Sequence, residues 1–243
     1  MLHAQKIILA ALLSAISLSA SASVRISNLL TDIEANGPKN VASFELINTD
    51  KKAIKLELSS SLWTQNGNKE VFIGTKDLSF KSKFITIAPG GKKVVKVKYV
   101  GDKDLAADKA YRFWFSEILP DGNKNNSVKV VKISYRFGAG IFVSHTAPTV
   151  KLIRSEVMLE EGKSVLHLKN IGNTHFMPAS SVFKFTQEGG SVLEQKGPDT
   201  WHILPNVERT YPLDGFKCES GNLSILFTDY NKSTFEIPSS CNK

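Results

Sequence analysis

Residues 94–99 read Val-Val-Lys-Val-Lys-Tyr, with Val95, Val97 and Tyr99 in one phase and Lys96 and Lys98 in the other. That period of two belongs to a strand with one face buried and one in water. It recurs along the chain, whereas the spacing of an amphipathic helix does not. Residues 43–47 and 54–58 alternate around the turn Asn48-Thr49-Asp50-Lys51. Residues 78–87 lead into Pro89-Gly90-Gly91, residues 111–119 into Pro120-Asp121-Gly122, and residues 128–137 follow. Gly138-Ala139-Gly140 and Pro148 interrupt the pattern, which restarts at 150–158, 164–170, 182–187, 202–203, 210–213, 223–228 and 234–237. Strands this short, punctuated this often, predict an all-β chain of two β-sandwiches. The 243 residues suffice for two modest domains. The breaks put them at 23–140 and 148–243, around a linker at 141–147.

The first residues are of another kind. Lys6 precedes an apolar stretch, 7–18, broken only by Ser14 and Ser17, and Ala20-Ser21-Ala22 closes it. A basic start, an apolar centre and an A-x-A end predict a secretory signal peptide at 1–22, cleaved after Ala22. No later apolar run approaches the ~18 residues of a membrane span. An exported chain meets an oxidising compartment, so Cys218 and Cys241 are expected to form a disulfide. With 22 residues between them they are no CxxC redox pair. In the chain-entropy picture such a bridge contributes about 3 kcal/mol.

Little in the sequence speaks for catalysis. There is no GxSxG, HExxH or CxxC, and Gly90-Gly91-Lys92-Lys93 lacks the spacing of a P-loop. His145, His167, His175 and His202 are scattered without ligand spacing, so no metal or cofactor is expected. Phe113, Trp114 and Phe115 could stack bases, but alternation sends Phe113 and Phe115 inward and Trp114 outward, and no nucleic acid is expected. A composition of 42% apolar and 22% charged residues excludes a disordered tail or a fibre. The net charge of +8 permits an acidic partner without demanding one.

One strand is unusual. In residues 127–136, Lys129, Val131, Ile133 and Tyr135 share one phase, and Val128, Val130, Lys132 and Ser134 the other. Apolar residues in both phases fit a central strand buried on both sides. They equally fit an edge strand offering apolar side chains to a partner, which is an aggregation hazard unless something pairs with it.

Several stretches, in order along the chain, resemble the periplasmic pilus chaperones of the chaperone–usher pathway. They are Ile87-Ala88-Pro89-Gly90-Gly91-Lys92-Lys93-Val94, the aromatic strand from Tyr111 to Pro120, Lys132-Ile133-Ser134-Tyr135-Arg136, Asn170-Ile171-Gly172-Asn173, Ile203-Leu204-Pro205-Asn206 and Thr228-Asp229-Tyr230-Asn231. The segment from Gly138 to Val143 looks more like the family's archaic branch. The resemblance implies two immunoglobulin-like sandwiches in a boomerang arrangement and a periplasmic location. It also implies a non-enzymatic task, in which the seventh strand is lent to a pilin lacking its own last strand. By position the donors are Val128 and Val130, with Val131 and Ile133 if a bulge shifts the register. Lys132 matches the family's lysine for the subunit's C-terminal carboxylate. Its arginine partner falls at Leu30 here, leaving Arg25 as the first-strand stand-in, with Arg112 and Arg136 as other cations. Asp108, Arg136 and Asp229 match an ion network between the domains. The implied partners are pilin subunits and an outer-membrane usher, and the free protein could cap itself as a homodimer. The competing reading is a secreted two-domain immunoglobulin-like adhesion or binding module.

Overall fold

The computed structural model describes residues 24–119, 134–146, 151, 153–198, 200–219, 221–229 and 232–242. The expected signal peptide and residues 128–133 lie outside them. Within them every regular element is a strand. The first sandwich holds β1 (Val24–Ile26), β2 (Leu30–Glu34), β3 (Val41–Asn48), β4 (Ile54–Asn66), β5 (Lys69–Gly74), β6 (Leu78–Phe80), β7 (Phe84–Ile87), β8 (Lys92–Tyr99), β9 (Lys109–Glu117) and β10 (Arg136–Ser144). The second holds β11 (Ile153–Glu160), β12 (Lys163–Asn170), β13 (Pro178–Thr186), β14 (Val192–Lys196), β15 (Glu208–Pro212), β16 (Asn222–Asp229), β17 (Thr234–Pro238) and β18 (Cys241–Asn242). The sheets run β1-β3-β8-β6 and β2-β10-β9-β4-β5, with β7 on β4, then β15-β12-β11-β18 and β14-β13-β16-β17.

The alternation read from the sequence builds the first core. Val95 stands opposite Phe44 and Val97 opposite Ala42, and all four side chains are buried. Phe44 stacks on Phe113 at 6.0 Å and meets Phe115 edge-on at 5.8 Å. Phe113 and Phe115 therefore point inward as their phase requires. In the second sandwich Phe183, Phe185, Ile225 and Phe227 form the corresponding core. The disulfide joins Cys218 to Cys241, where β18 lies parallel to β11.

Two expectations are corrected. The run 78–87 divides into β6 and β7, which join different sheets and turn a corner at Lys81-Ser82-Lys83. The linker does not begin at residue 141. Residues 140–144 pair in parallel with β2 and residues 140–143 antiparallel with β9, and Ile141 and Val143 belong to the first core. Phe142, in the opposite phase, packs with Trp63, Ala110 and Leu204. The apolar run Ile141-Phe142-Val143 is a strand buried on both faces, which from composition alone resembles a packed linker.

Candidate functional site: a half-covered strand and the joint behind it

β10 changes its surroundings midway. Along residues 136–143 it pairs with β9. On its other side β2 begins only at Leu30, opposite Gly140. Just before that, the Gly140 amide donates to the Leu29 carbonyl at 2.7 Å. Among the described residues, positions 136–139 thus have a strand on one side only. Unpaired backbone groups there seek another strand. Leu29, 54% exposed, and Leu30, 36% exposed, stand at the point where cover begins. The side chains keep strict phase. Tyr135, Phe137, Ala139, Ile141 and Val143 face or flank the first core, and Phe115 and Phe137 stack at 5.0 Å. Arg136, Gly138, Gly140 and Phe142 take the other face.

That other face carries the second sandwich. Trp63, Ala110, Phe142 and Leu204 form a shared apolar patch. Two carboxamides hold its rim. Gln65 donates to the His202 carbonyl at 2.8 Å and accepts from the Leu204 amide at 2.9 Å. Asn68 donates to the Thr210 carbonyl at 2.7 Å and accepts from its amide at 3.0 Å. Arg209 reaches Glu70 at 2.6 Å, and the Trp63 indole N–H also donates to Glu70.

The joint centres on Asp108, whose side chain is 4% exposed. One carboxylate oxygen accepts from the His145 backbone amide at 3.1 Å and from His145 Nδ1 at 2.7 Å. The other accepts from Thr174 Oγ1 at 2.7 Å, the His175 amide at 3.0 Å and His175 Nδ1 at 2.9 Å. A carboxylate can only accept, so both imidazoles present Nδ1–H to it. Burial alone would raise the carboxyl's pKa. The hydrogen bonds from His175, His145 and Thr174 outweigh it and hold the group well below the usual carboxylate range. His175 also stacks on Phe142 at 3.9 Å.

The expected ion network is therefore corrected at Arg136. Arg136 pairs with Ser116 at one end of β10, whereas Asp108 lies beyond Lys109, which pairs with Val143 near the other end. At ~3.3 Å per residue the length of the strand separates them. Arg136 instead lies 4.1 Å over the Trp114 ring. Asp229 ends β16, opposite Pro178, and its side chain lies outside the described residues. Arg25 stands exposed on β1, in the sheet facing that of β10. Val128, Val130, Val131, Lys132 and Ile133 lie outside the described residues. Sequence reasoning missed His145 and His175, since two lone histidines thirty residues apart carry no pattern.

His202 brings a pH dependence. It is buried between Trp63 and Phe142, with ring centroids at 5.5 and 5.3 Å. Burial, reinforced by His175, Arg112 and Arg209, pushes its pKa down from 6.5 to about 3. The unfolded chain takes this proton first, so stability falls as pH drops below 6.5 and levels off below about 3. Between pH 7 and pH 4 this group is expected to cost about 3 kcal/mol. Urea unfolding across that range should show the loss, and His202→Phe should flatten it. An unchanged slope in His202→Phe would show that the loss has another source.

No protein-family model matches the sequence, and no curated protein matches it. Solved structures do match in fold. A chain of the CsuC–CsuE chaperone–tip adhesion subunit pre-assembly complex, from the archaic chaperone–usher Csu pili of Acinetobacter baumannii, superposes with a TM-score of 0.65 at 16% identity, covering 91% of this chain and 100% of that one. The class 5 fimbriae chaperone CfaA gives 0.61 at 12% identity over 89% and 98%. A chain of the Salmonella enterica SafA pilin–SafB chaperone complex gives 0.59 at 12% identity over 90% and 98%. The chain thus has the two-sandwich fold found in these pilus-chaperone structures.

Proposed function

We propose that this protein is a periplasmic chaperone of pilus subunits, which it holds by donor-strand complementation and delivers to an outer-membrane usher. The observation that carries the reading is that, among the described residues, no strand pairs with the other side of β10 at residues 136–139, directly downstream of the valine-rich stretch 128–133. The fold likeness to chains from chaperone–subunit complexes supports it. Strand addition needs no nucleotide, metal or nucleophile, and the reading is non-enzymatic.

Carried upstream, the phase of β10 orders the donor candidates. Val131 and Ile133 fall in step with Tyr135 and Phe137, the row that continues the first core. Val128, Val130 and Lys132 fall in step with Arg136. The core row is the one that extends into a guest's open sandwich, so an alternation that runs on without a bulge ranks Val131 and Ile133 ahead of Val128 and Val130, reversing the order that the resemblance implies. Lys132 remains the candidate for a subunit's carboxylate, with Arg25 on the edge strand of the facing sheet. A pilin lacking its last strand exposes an apolar groove that aggregates in water, and a lent strand covers it while pairing its backbone.

Amide hydrogen exchange tests the reading. With such a pilin bound, the Arg136 and Gly138 amides, which share the phase of the Gly140 amide and point away from β9, are expected to slow at least about tenfold relative to the free protein. A stable complex that leaves them as fast as before would overturn strand addition.

A further inference from the structure

The face shared by Arg136 and Phe142 carries two guanidiniums stacked on aromatic rings. Arg112, on β9, lies 4.1 Å from the Trp63 ring, and Arg136 lies 4.1 Å from Trp114. Phe72 on β5 meets Trp114 edge-on at 5.1 Å. The glycines of β10 make room for this ladder. A Cβ at Gly138 would sit 2.7 Å from Arg112 Cδ and 2.8 Å from Trp114 Cε3. Among the described residues neither guanidinium forms an ion pair, and Glu70, whose charge acts on Arg112, is already bonded to Arg209. Stacking occupies the π face of a guanidinium and leaves its rim of N–H donors directed sideways, a fork that fits a carboxylate. Arg136 also stands on the uncovered stretch of β10, so whatever strand pairs there passes beside its rim.

We propose that the strand completing β10 at residues 136–139 carries an acidic side chain in phase with Arg136, and that Arg136, with Arg112 behind it, selects acidic over neutral guests. The inference rests on the strand-addition reading. Residues facing each other across a β pair share a face of the sheet, so a guest acid in that phase meets the Arg136 rim, while one in the other phase points toward the core row.

Two synthetic peptides test it, each alternating valine with a polar residue over about eleven positions, one with glutamate and one with glutamine. They are titrated by fluorescence anisotropy against the full-length mature chain at low salt. The glutamate peptide is expected to bind at least about tenfold more tightly. Arg136→Gln should reduce that preference to less than about twofold, and Arg136→Lys, which keeps the charge but loses the planar stack, should fall between. Raising the salt to about 0.5 M should erode the preference of the wild type. Equal affinities of the two peptides, with the Arg136 and Gly138 amides protected, would overturn acid selection and leave strand addition standing. If neither peptide binds or protects those amides, both fall.

Discussion

Replacing Val131 and Ile133 together by aspartate is expected to abolish capture of a pilin that lacks its last strand, with affinity lost by at least about 100-fold. Each buried aliphatic side chain contributes about 1.5–3 kcal/mol in area terms, and a carboxylate in its place must be desolvated in an apolar groove. Thermal unfolding of the variant against the wild type separates lost capture from lost structure. Co-purification with the pilin and a competition titration measure the loss. The companion variant, Val128→Asp with Val130→Asp, separates the registers. If it alone abolishes capture, the donors occupy the Arg136 phase and a bulge intervenes before Tyr135. If neither variant weakens capture, the strand is not lent at all.

The second large effect belongs to Asp108. Asp108→Ala removes the acceptor for five hydrogen bonds and leaves buried donors from both sandwiches unpaired. Deleting one partner of a buried charged network costs about 3–5 kcal/mol. We expect that loss in thermal unfolding, with the two sandwiches melting in separate transitions. A shift below about 1 kcal/mol would show that the carboxamides of Gln65 and Asn68 and the apolar patch suffice. Because the folded-state pKa of Asp108 is depressed, its contribution is fully present above the ordinary carboxylate range. It is lost only as pH falls through the depressed value. Moderate acid therefore weakens the fold through His202 before it touches this joint.

Much of the architecture was legible because it rests on phase. Val95, Val97 and Tyr99 alternate with lysines, and so do their surroundings. Phe113 and Phe115 go inward on the same rule. The rule fails where both phases are apolar. Val71-Phe72-Ile73 in β5 and Ile141-Phe142-Val143 in β10 show no alternation, the first because it lies exposed at a sheet edge, the second because both its faces are covered. Asp108 bonds to His145, Thr174 and His175, partners that no spacing in the sequence marks. Arg136 opens β10, where the Trp114 indole holds it at the end away from Asp108. The imidazoles that bind Asp108 come from positions 37 and 67 residues away, joined only by tertiary folding.

β10 is one unbroken strand with different duties at its two ends. Its first residues have, among the described residues, a strand on one side only, and its last lead directly into His145, which grips Asp108 at the joint between the sandwiches. An extended strand hardly stretches along its own axis. On the strand-addition reading, a tug on a passenger at one end is delivered as tension to the Asp108 joint at the other, which couples loading to posture through a single rod of backbone.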